Sequence, residues 1–304
     1  MNKALIESIY QKYQQNNQDP ETFLKGMLHN KPMNYWDYVE VNTLLSLQKT
    51  RTDFKDEFIF IVYHQITELV LRLIMHELEQ ITDAQTNMPI DEITEKIGRI
   101  DRYTDLLINS FSIMNKGMDY DQYNQFRLSL APASGFQSAQ FRLIELYCTD
   151  IDNLINERSK AIMPKDCSVA DKFNYVYWQD AGIDRTTGKK SVTLSEFEKE
   201  YLQQFIDTTT RLQTKNLNQL IIRLQQEGKA TESLIDSFKA LDVKFNIVWP
   251  MVHLETAHTY LSPKGTPIAA TGGSNWTKYL HPKYQRRIFF PSLLTEVEFK
   301  TWGE

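Results

Sequence analysis

Apolar residues recur every three or four positions through several long stretches of the chain. Between residues 54 and 82, charged side chains such as Glu68 and Arg72 separate the apolar ones. The apolar set comprises Ile61, Ile66, Leu69, Val70, Leu73, Ile74, Leu78 and Ile81. This spacing places the set on one face of an α-helix. The pattern therefore predicts a long amphipathic helix over 54–82.

The same period predicts three more core-facing helices. Two run over residues 90–107 and 141–154. Ser195 and Glu198 have the spacing of a capping box, and the apolar period continues from there towards Gly228. These signals predict one long helix over 195–228.

A further helix is predicted over residues 231–261. Pro250 lies inside it, lacks a backbone N–H and crowds the preceding turn, so we expect a kink there. Non-helical stretches are few, at residues 131–135, 180–190 and 262–276. The chain is therefore predicted to be all-α, a single helical-bundle domain over residues 1–304.

Composition supports long helices and excludes several classes of protein. The 304 residues include 11 glycines and 10 prolines, fewer than average, so turns must be scarce. The net charge of -5, without a basic stripe, argues against a nucleic-acid partner. The longest uninterrupted apolar run, residues 58–63, is far shorter than a membrane span. The polar amino terminus and two cysteines indicate the cytoplasm.

Two histidines have neighbourhoods that single them out. His64 follows the apolar run 58–63, where burial favours a neutral ring. It is either a core histidine bonded to a backbone carbonyl or a pocket histidine that meets a ligand. His253 lies three residues after Pro250, and Trp249 lies one helical turn before it, near enough to orient an imidazole that binds a metal.

Residue type alone does not decide the role of two further candidates. Arg127 lies among aromatic residues beside the loop 131–135, and is either a solvated charge or a planar fork that grips a carboxylate. The run TGGS at residues 271–274 is either a closing lid or an ordinary surface loop.

Several motifs occur in a fixed order over residues 35–280. They are YWDY at 35–38, LLSLQ at 44–48, DEFIFIVYHQITEL at 56–69, FR at 126–127, APASGFQS at 131–138, QFR at 140–142, TGGS at 271–274 and YL at 279–280. Taken together, the chain resembles the tryptophan 2,3-dioxygenase family, whose members are haem enzymes.

The resemblance implies roles for individual residues in a haem pocket between helices. Phe60 and His64 would lie above the haem, with His64 near the indole N–H of bound tryptophan. Tyr123 would line the same pocket, Arg127 would hold the substrate carboxylate, and Thr271 would meet its ammonium group. Because the family's reaction needs no strong general base, His64 is expected to orient the substrate first.

The resemblance also implies an oligomer. Tyr35 and Tyr38 match aromatic residues that reach into the site from a neighbouring subunit. The chain is therefore expected to form a homotetramer, with residues 1–50 contributing to its interface.

The axial ligand is assigned by matching His253 to the family's proximal histidine, which also leaves Trp249 where the family has a tryptophan. His258 is the competing ligand. The segment from His253 to Thr271 is about four residues longer than is usual in the family.

Other departures from the family pattern surround the glycine loop and the start of the long helix. Lys55 stands where the family usually has histidine, Ala270 where it has glycine, and Asn275 and Trp276 where it has small residues. Because these changes alter the lid, the resemblance predicts haem binding more firmly than it predicts the identity of the substrate.

The function implied is a haem b-dependent dioxygenase that adds O2 across the indole C2–C3 bond of L-tryptophan and yields N-formylkynurenine. One alternative is a related haem-dependent oxygenase that acts on tyrosine or another indole. A second is a non-catalytic helical protein that binds an aromatic metabolite or other proteins.

Overall fold

The computed structural model describes residues 2–84, 88–184, 187–262 and 276–304. Within them the regular structure is helical, apart from two isolated β-bridges, Ile155 to Val176 and Ile183 to Lys190. The prediction of an all-α fold is confirmed.

The described α-helices vary from one turn to eight. They are α1 (Lys3–Gln15), α2 (Pro20–Met27), α3 (Tyr35–Tyr38), α4 (Val41–Leu44), α5 (Asp56–Ala84), α6 (Ile90–Gly117), α7 (Tyr120–Phe126), α8 (Ala139–Cys148), α9 (Glu157–Ile162), α10 (Val169–Lys172), α11 (Gln179–Gly182), α12 (Val192–Leu212), α13 (Leu217–Gln226), α14 (Glu232–Val243), α15 (Trp249–Leu261), α16 (Trp276–Tyr279), α17 (Pro282–Gln285) and α18 (Glu296–Lys300).

The chain forms two compact units, residues 1–49 and 50–304. The first contains α1 to α4. Within it the Asp19 side chain caps α2 by accepting backbone N–H bonds, and the rings of Tyr13 and Phe23 stack at 4.3 Å. That the whole chain makes a single domain stays a prediction.

The core of the second unit is built on α5, which packs against α6 and α8. Four of the eight residues of the predicted apolar face of α5 are buried as expected, namely Val70, Ile74, Leu78 and Ile81. Leu69 and Leu73 are exposed, which corrects their predicted place in the core. The apolar stripe of α5 is wider than the surface that this chain alone covers.

The segment Asp56–Asp83 is long and apolar enough to cross a membrane by length and composition. This is weak evidence for a span, because core helices satisfy the same criterion. Glu57 and Glu77 on this helix are buried in the protein and hydrogen-bonded to side chains or backbone groups. The expected absence of a membrane partner stays a prediction.

The predicted helix over 195–228 is wrong in two respects. It begins at Val192 with Ser191 as its cap, and it is divided into α12 and α13. Asn216 causes the break, because its side-chain oxygen accepts the N–H of Gln219 at 2.9 Å and starts a new helix. The predicted helix over 141–154 likewise ends at Cys148, followed by a short 3-10 turn, Ile151–Leu154.

The predicted helix over 231–261 is present, with an irregularity just before Pro250. A π-helical turn, Lys244–Val248, joins α14 to α15. Proline cannot donate the next helical hydrogen bond, and a widened turn accommodates that loss. The turn is fixed to α6 because Lys244 pairs with Asp101 at 2.7 Å and with Asp105 at 2.8 Å.

Candidate active site

His64 lies in the third turn of α5, one turn after Phe60, and the two ring centroids are 4.1 Å apart. The Nδ1 atom of His64 lies 2.7 Å from the backbone oxygen of Phe60. A carbonyl oxygen only accepts, so Nδ1 carries the ring proton and donates it. Burial lowers the pKa of His64, which keeps the ring neutral at pH 7. Its Nε2 atom is therefore a hydrogen-bond acceptor.

Two aromatic rings of α7 extend this region. The centroids of Tyr123 and Phe126 lie 6.1 Å and 5.7 Å from that of Phe60. Tyr123 and Phe126 also meet each other edge to face, at 5.6 Å. The three rings form an apolar wall beside His64.

The start of α5 and the start of α7 are joined through Asp56. Its carboxylate accepts the N–H of Asp119 at 2.5 Å, and its own N–H donates to the side chain of Gln122 at 3.3 Å. These bonds fix the position of Tyr123 relative to Phe60.

Arg127 follows α7 in a 3-10 turn, Arg127–Ser129, and only 7% of the residue is exposed. Its Nε donates to the side-chain oxygen of Asn124 at 3.0 Å. A buried guanidinium retains its charge, since arginine does not deprotonate in proteins. The structure therefore places a cation next to the aromatic wall.

His253 lies in the second turn of α15. Its side chain is exposed to solvent, yet the surrounding protein lowers its pKa to about 4 through burial, with a smaller effect from His64. At pH 7 the imidazole is neutral, which is the form that binds metals.

Two aromatic rings link the histidines. Tyr63 contacts His64 at 5.3 Å and Phe111 at 5.7 Å, and Phe111 contacts His253 at 5.4 Å, all between ring centroids. The two neutral imidazoles thus belong to one apolar region between α5, α6 and α15.

The surroundings of Trp249 and His258 bear on the axial ligand. Trp249 is buried, with its ring 5.0 Å from both Phe141 and Phe245. His258 lies 4.9 Å from the ring of Trp276, and its Nδ1 is 3.2 Å from the hydroxyl of Ser262. The direct orientation of His253 by Trp249 stays a prediction.

The contacts given above do not include the other predicted substrate-binding residues. Tyr35 and Tyr38 belong to α3 in the first unit and are 73% and 77% exposed. Thr271 lies outside the described residues. The structure therefore groups Phe60, His64, Tyr123, Arg127 and His253 through the contacts given above, and their individual roles stay predictions.

The sequence analysis overlooked Asn124, Tyr63 and Phe111. The first precedes Arg127 by three positions, a spacing at which helical side chains meet, and this could have been noticed. The contact between Tyr63 and Phe111 depends on the packing of α5 against α6, for which a single sequence carries no local signal.

The side chains of this region suit two kinds of ligand. The region combines aromatic walls, an accepting nitrogen on His64, a cation on Arg127 and a neutral imidazole on His253. A flat aromatic molecule with an N–H donor and a carboxylate matches the first three, and a metal-centred cofactor matches the fourth.

Comparisons with known proteins agree with this chemistry. The family described as tryptophan 2,3-dioxygenase matches residues 25–161. A tryptophan 2,3-dioxygenase of Ruegeria sp. (strain TM1040) is 36% identical over 113 residues, which is 37% of this chain and 40% of that protein. A tryptophan 2,3-dioxygenase of Bacillus thuringiensis (strain Al Hakam) is 37% identical over the same shares of the two chains.

A longer similarity covers most of the chain. A tryptophan 2,3-dioxygenase of Geobacillus thermodenitrificans is 25% identical over 272 residues, 86% of this chain and 91% of that protein. The chain spans about two fifths of the length of these more identical relatives.

Proposed function

We propose that the chain is a member of the tryptophan 2,3-dioxygenase family and a haem-dependent dioxygenase acting on L-tryptophan, on the basis of the similarities given above. In this reaction O2 adds across the indole C2–C3 bond and the product is N-formylkynurenine. The observation that carries the proposal is the pair of neutral imidazoles, His64 and His253, joined by aromatic rings beside the buried Arg127.

The residues present fit a haem group. A ligating imidazole must be neutral, and burial keeps His253 so at pH 7. Its exposed side chain lies beside Phe111, with the two ring centroids 5.4 Å apart. We propose that His253 would hold haem b through its imidazole. Bound haem would supply the activation of O2.

The contacts of His258 disfavour it as that ligand. Its ring packs perpendicular to Trp276 and its Nδ1 is within hydrogen-bond distance of Ser262. The ring contacts that lead to His64 run through Phe111 to His253.

The remaining site residues hold and place the substrate. Arg127 forms a charge-assisted pair with the substrate carboxylate. Nε2 of His64 accepts a hydrogen bond from the indole N–H, because the indole nitrogen acts only as a donor. Phe60 and Tyr123 confine the indole ring by contact with its faces and edges. Thr271 is proposed to meet the ammonium group. Together these contacts restrict the substrate to one orientation and exclude water from it.

Assembly and location complete the proposal. The chain forms a homotetramer in which Tyr35 and Tyr38 of one subunit reach the site of a neighbour. The enzyme works in the cytoplasm, without nucleic acid or membrane as partner.

Anaerobic reconstitution with haem, followed by L-tryptophan and O2, tests the proposal. We expect a Soret band on haem addition and the absorbance of N-formylkynurenine after O2 is admitted. His253→Ala should lose the Soret band of a histidine complex, and His258→Ala should retain it. No Soret band, or oxidation of tyrosine or another indole in place of tryptophan, would overturn the proposed reaction.

A further inference from the structure

Asn124 lies in the last turn of α7 and joins three separate groups. Its Oδ1 accepts the Nε–H of Arg127 at 3.0 Å. Its Nδ2 donates to the backbone oxygens of Tyr120 and Tyr260, each at 3.1 Å. One amide therefore bridges the buried cation and the helix that carries His253.

The three partners fix the orientation of this amide. The Nε of arginine can only donate, so it must face the amide oxygen. The two carbonyl oxygens can only accept, so they must face the amide nitrogen. A flipped amide would break all three bonds. The hydrogen-bond partners therefore decide which atom of the amide is oxygen and which is nitrogen.

The bond to Tyr260 also answers a need of α15. The carbonyl groups in the last turn of a helix have no partner within the helix. The carbonyl of Tyr260, next to the last residue of α15, receives the Asn124 donor. The Tyr260 ring packs on Tyr123 at 4.7 Å, and its hydroxyl donates to the backbone oxygens of Met114 and Met118. The end of α7 is thus docked against the end of α15.

We infer that Asn124 is a positioning residue that sets the plane of the Arg127 guanidinium and ties it to the helix of His253. The inference rests on the proposed role of Arg127 in holding the substrate carboxylate. A bidentate pair with a carboxylate needs the guanidinium in one plane. Because its Nε is hydrogen-bonded to Asn124, the guanidinium keeps one orientation. The amide therefore prepares the carboxylate site before the substrate binds.

The loss of the amide should act chiefly on carboxylate recognition, because the hydroxyl bonds of Tyr260 to Met114 and Met118 still hold its ring against Tyr123. Without Asn124, the Nε–H of Arg127 has lost its partner below the surface and the guanidinium rotates to recover one. The contacts of the indole with Phe60 and His64 do not involve Asn124. We therefore expect a penalty for ligands with a carboxylate and none for ligands without it.

Equilibrium titration of the haem-loaded protein with two ligands tests the inference. In Asn124→Ala the Kd for L-tryptophan should rise about tenfold or more. The Kd for tryptamine, which has the indole and the ammonium but no carboxylate, should stay within about twofold. In steady-state assays KM should rise more than kcat falls. Asn124→Ser is a second variant, because a serine hydroxyl is too short to join Arg127 to Tyr260.

Asn115 supplies the matched control. Its side-chain oxygen accepts the hydroxyl proton of Thr259, the neighbour of Tyr260, at 2.8 Å. Asn115→Ala thus removes an asparagine contact to the same turn of α15 without touching Arg127, and it should leave both Kd values unchanged. An equal rise for tryptophan and tryptamine in Asn124→Ala would overturn the inference, since general distortion would then explain it.

A double-mutant cycle separates this inference from the proposed function. In the Arg127→Ala background, Asn124→Ala should have no further effect on tryptophan binding. If Arg127→Ala weakens binding and Asn124→Ala does not, the role of Asn124 is wrong and the proposed function stands. If Arg127→Ala itself leaves tryptophan binding unchanged, the carboxylate assignment fails, and with it the premise for Asn124.

Discussion

The guanidinium of Arg127 is held below the surface by its own chain, so its cost of desolvation is met on folding. Removing it leaves a substrate carboxylate without a counter-charge. We expect Arg127→Ala to weaken tryptophan binding by about 2–5 kcal/mol, the usual loss for one partner of a buried charge pair. Titration of the haem-loaded protein measures this. Arg158→Ala, at an exposed arginine of α9, should leave the Kd unchanged.

The tautomer of His64 leads to a second expectation at this scale. Because Nδ1 donates to Phe60, Nε2 accepts from the indole and orients it. His64→Ala should lower kcat by about tenfold to a hundredfold, as expected from misplacement of the substrate, and should not abolish turnover. Assays under saturating tryptophan measure kcat. Complete loss of turnover would instead indicate an obligatory proton transfer by this residue.

Single residues were predictable where their neighbours in sequence are informative. His64 follows an apolar run and Arg127 follows aromatic residues, and both signals are local. For Asn124 the only local signal is its spacing of three positions from Arg127, and its bond to the backbone carbonyl of residue 260 has no signal in the sequence. Contacts across that sequence separation depend on how helices pack, and neither period nor propensity encodes them.

At the scale of elements, the period of apolar residues predicted that long helices exist, and α5, α6 and α12 follow from it. It did not predict where they end. The break at Asn216 and the π turn before Pro250 are decided by a cap and by a missing N–H, each acting on one turn. The π turn also shifts the register of α15 relative to α14, and so it sets the direction in which His253 points.

Asp242 at the end of α14 joins this region to the C-terminal segment. It accepts the N–H groups of Phe289 and Phe290 at 2.9 Å and the amide of Asn246, in the π turn, at 2.7 Å. Burial raises its pKa to about 6, against the lowering effect of these hydrogen bonds. Between about pH 4 and pH 6 the folded protein therefore holds a proton that the unfolded chain has released.

Because the folded protein binds this proton more tightly than the unfolded chain does, a rise in pH destabilises the fold. The stabilisation from this proton is fully present below about pH 4 and is lost as the pH rises through 6. Relative to Asp242→Asn, the native protein should lose about 1 kcal/mol of unfolding free energy between pH 5 and pH 7.5. Urea titrations at the two pH values measure it. In Asp236→Asn, at an exposed position of α14, the unfolding free energy should change with pH as it does in the native protein. The same change with pH in Asp242→Asn would contradict the assignment.

At the scale of the whole molecule, residues 1–49 expose apolar side chains that we expect another chain to cover. Leu28 is 82% exposed, Met33 74% and Leu45 70% in the single chain, and Pro20 is the one residue of α1 to α4 that is buried. Many exposed apolar side chains in one short segment are typical of an interaction site. The sequence predicted an interface in this region through its resemblance to a family, since no single-chain pattern specifies an oligomer.

The oligomer can be tested through that surface. If residues 1–49 contribute to a tetramer interface, Leu28→Asp combined with Met33→Asp buries two charges on assembly and should favour smaller species. Light scattering coupled to size-exclusion chromatography should give four times 35.7 kDa for the native chain and less for the variant. Val297→Asp is the control, because Val297 is 71% exposed on α18, in the other unit. An unchanged mass for the double variant would show that this surface serves something other than assembly of the chain with itself.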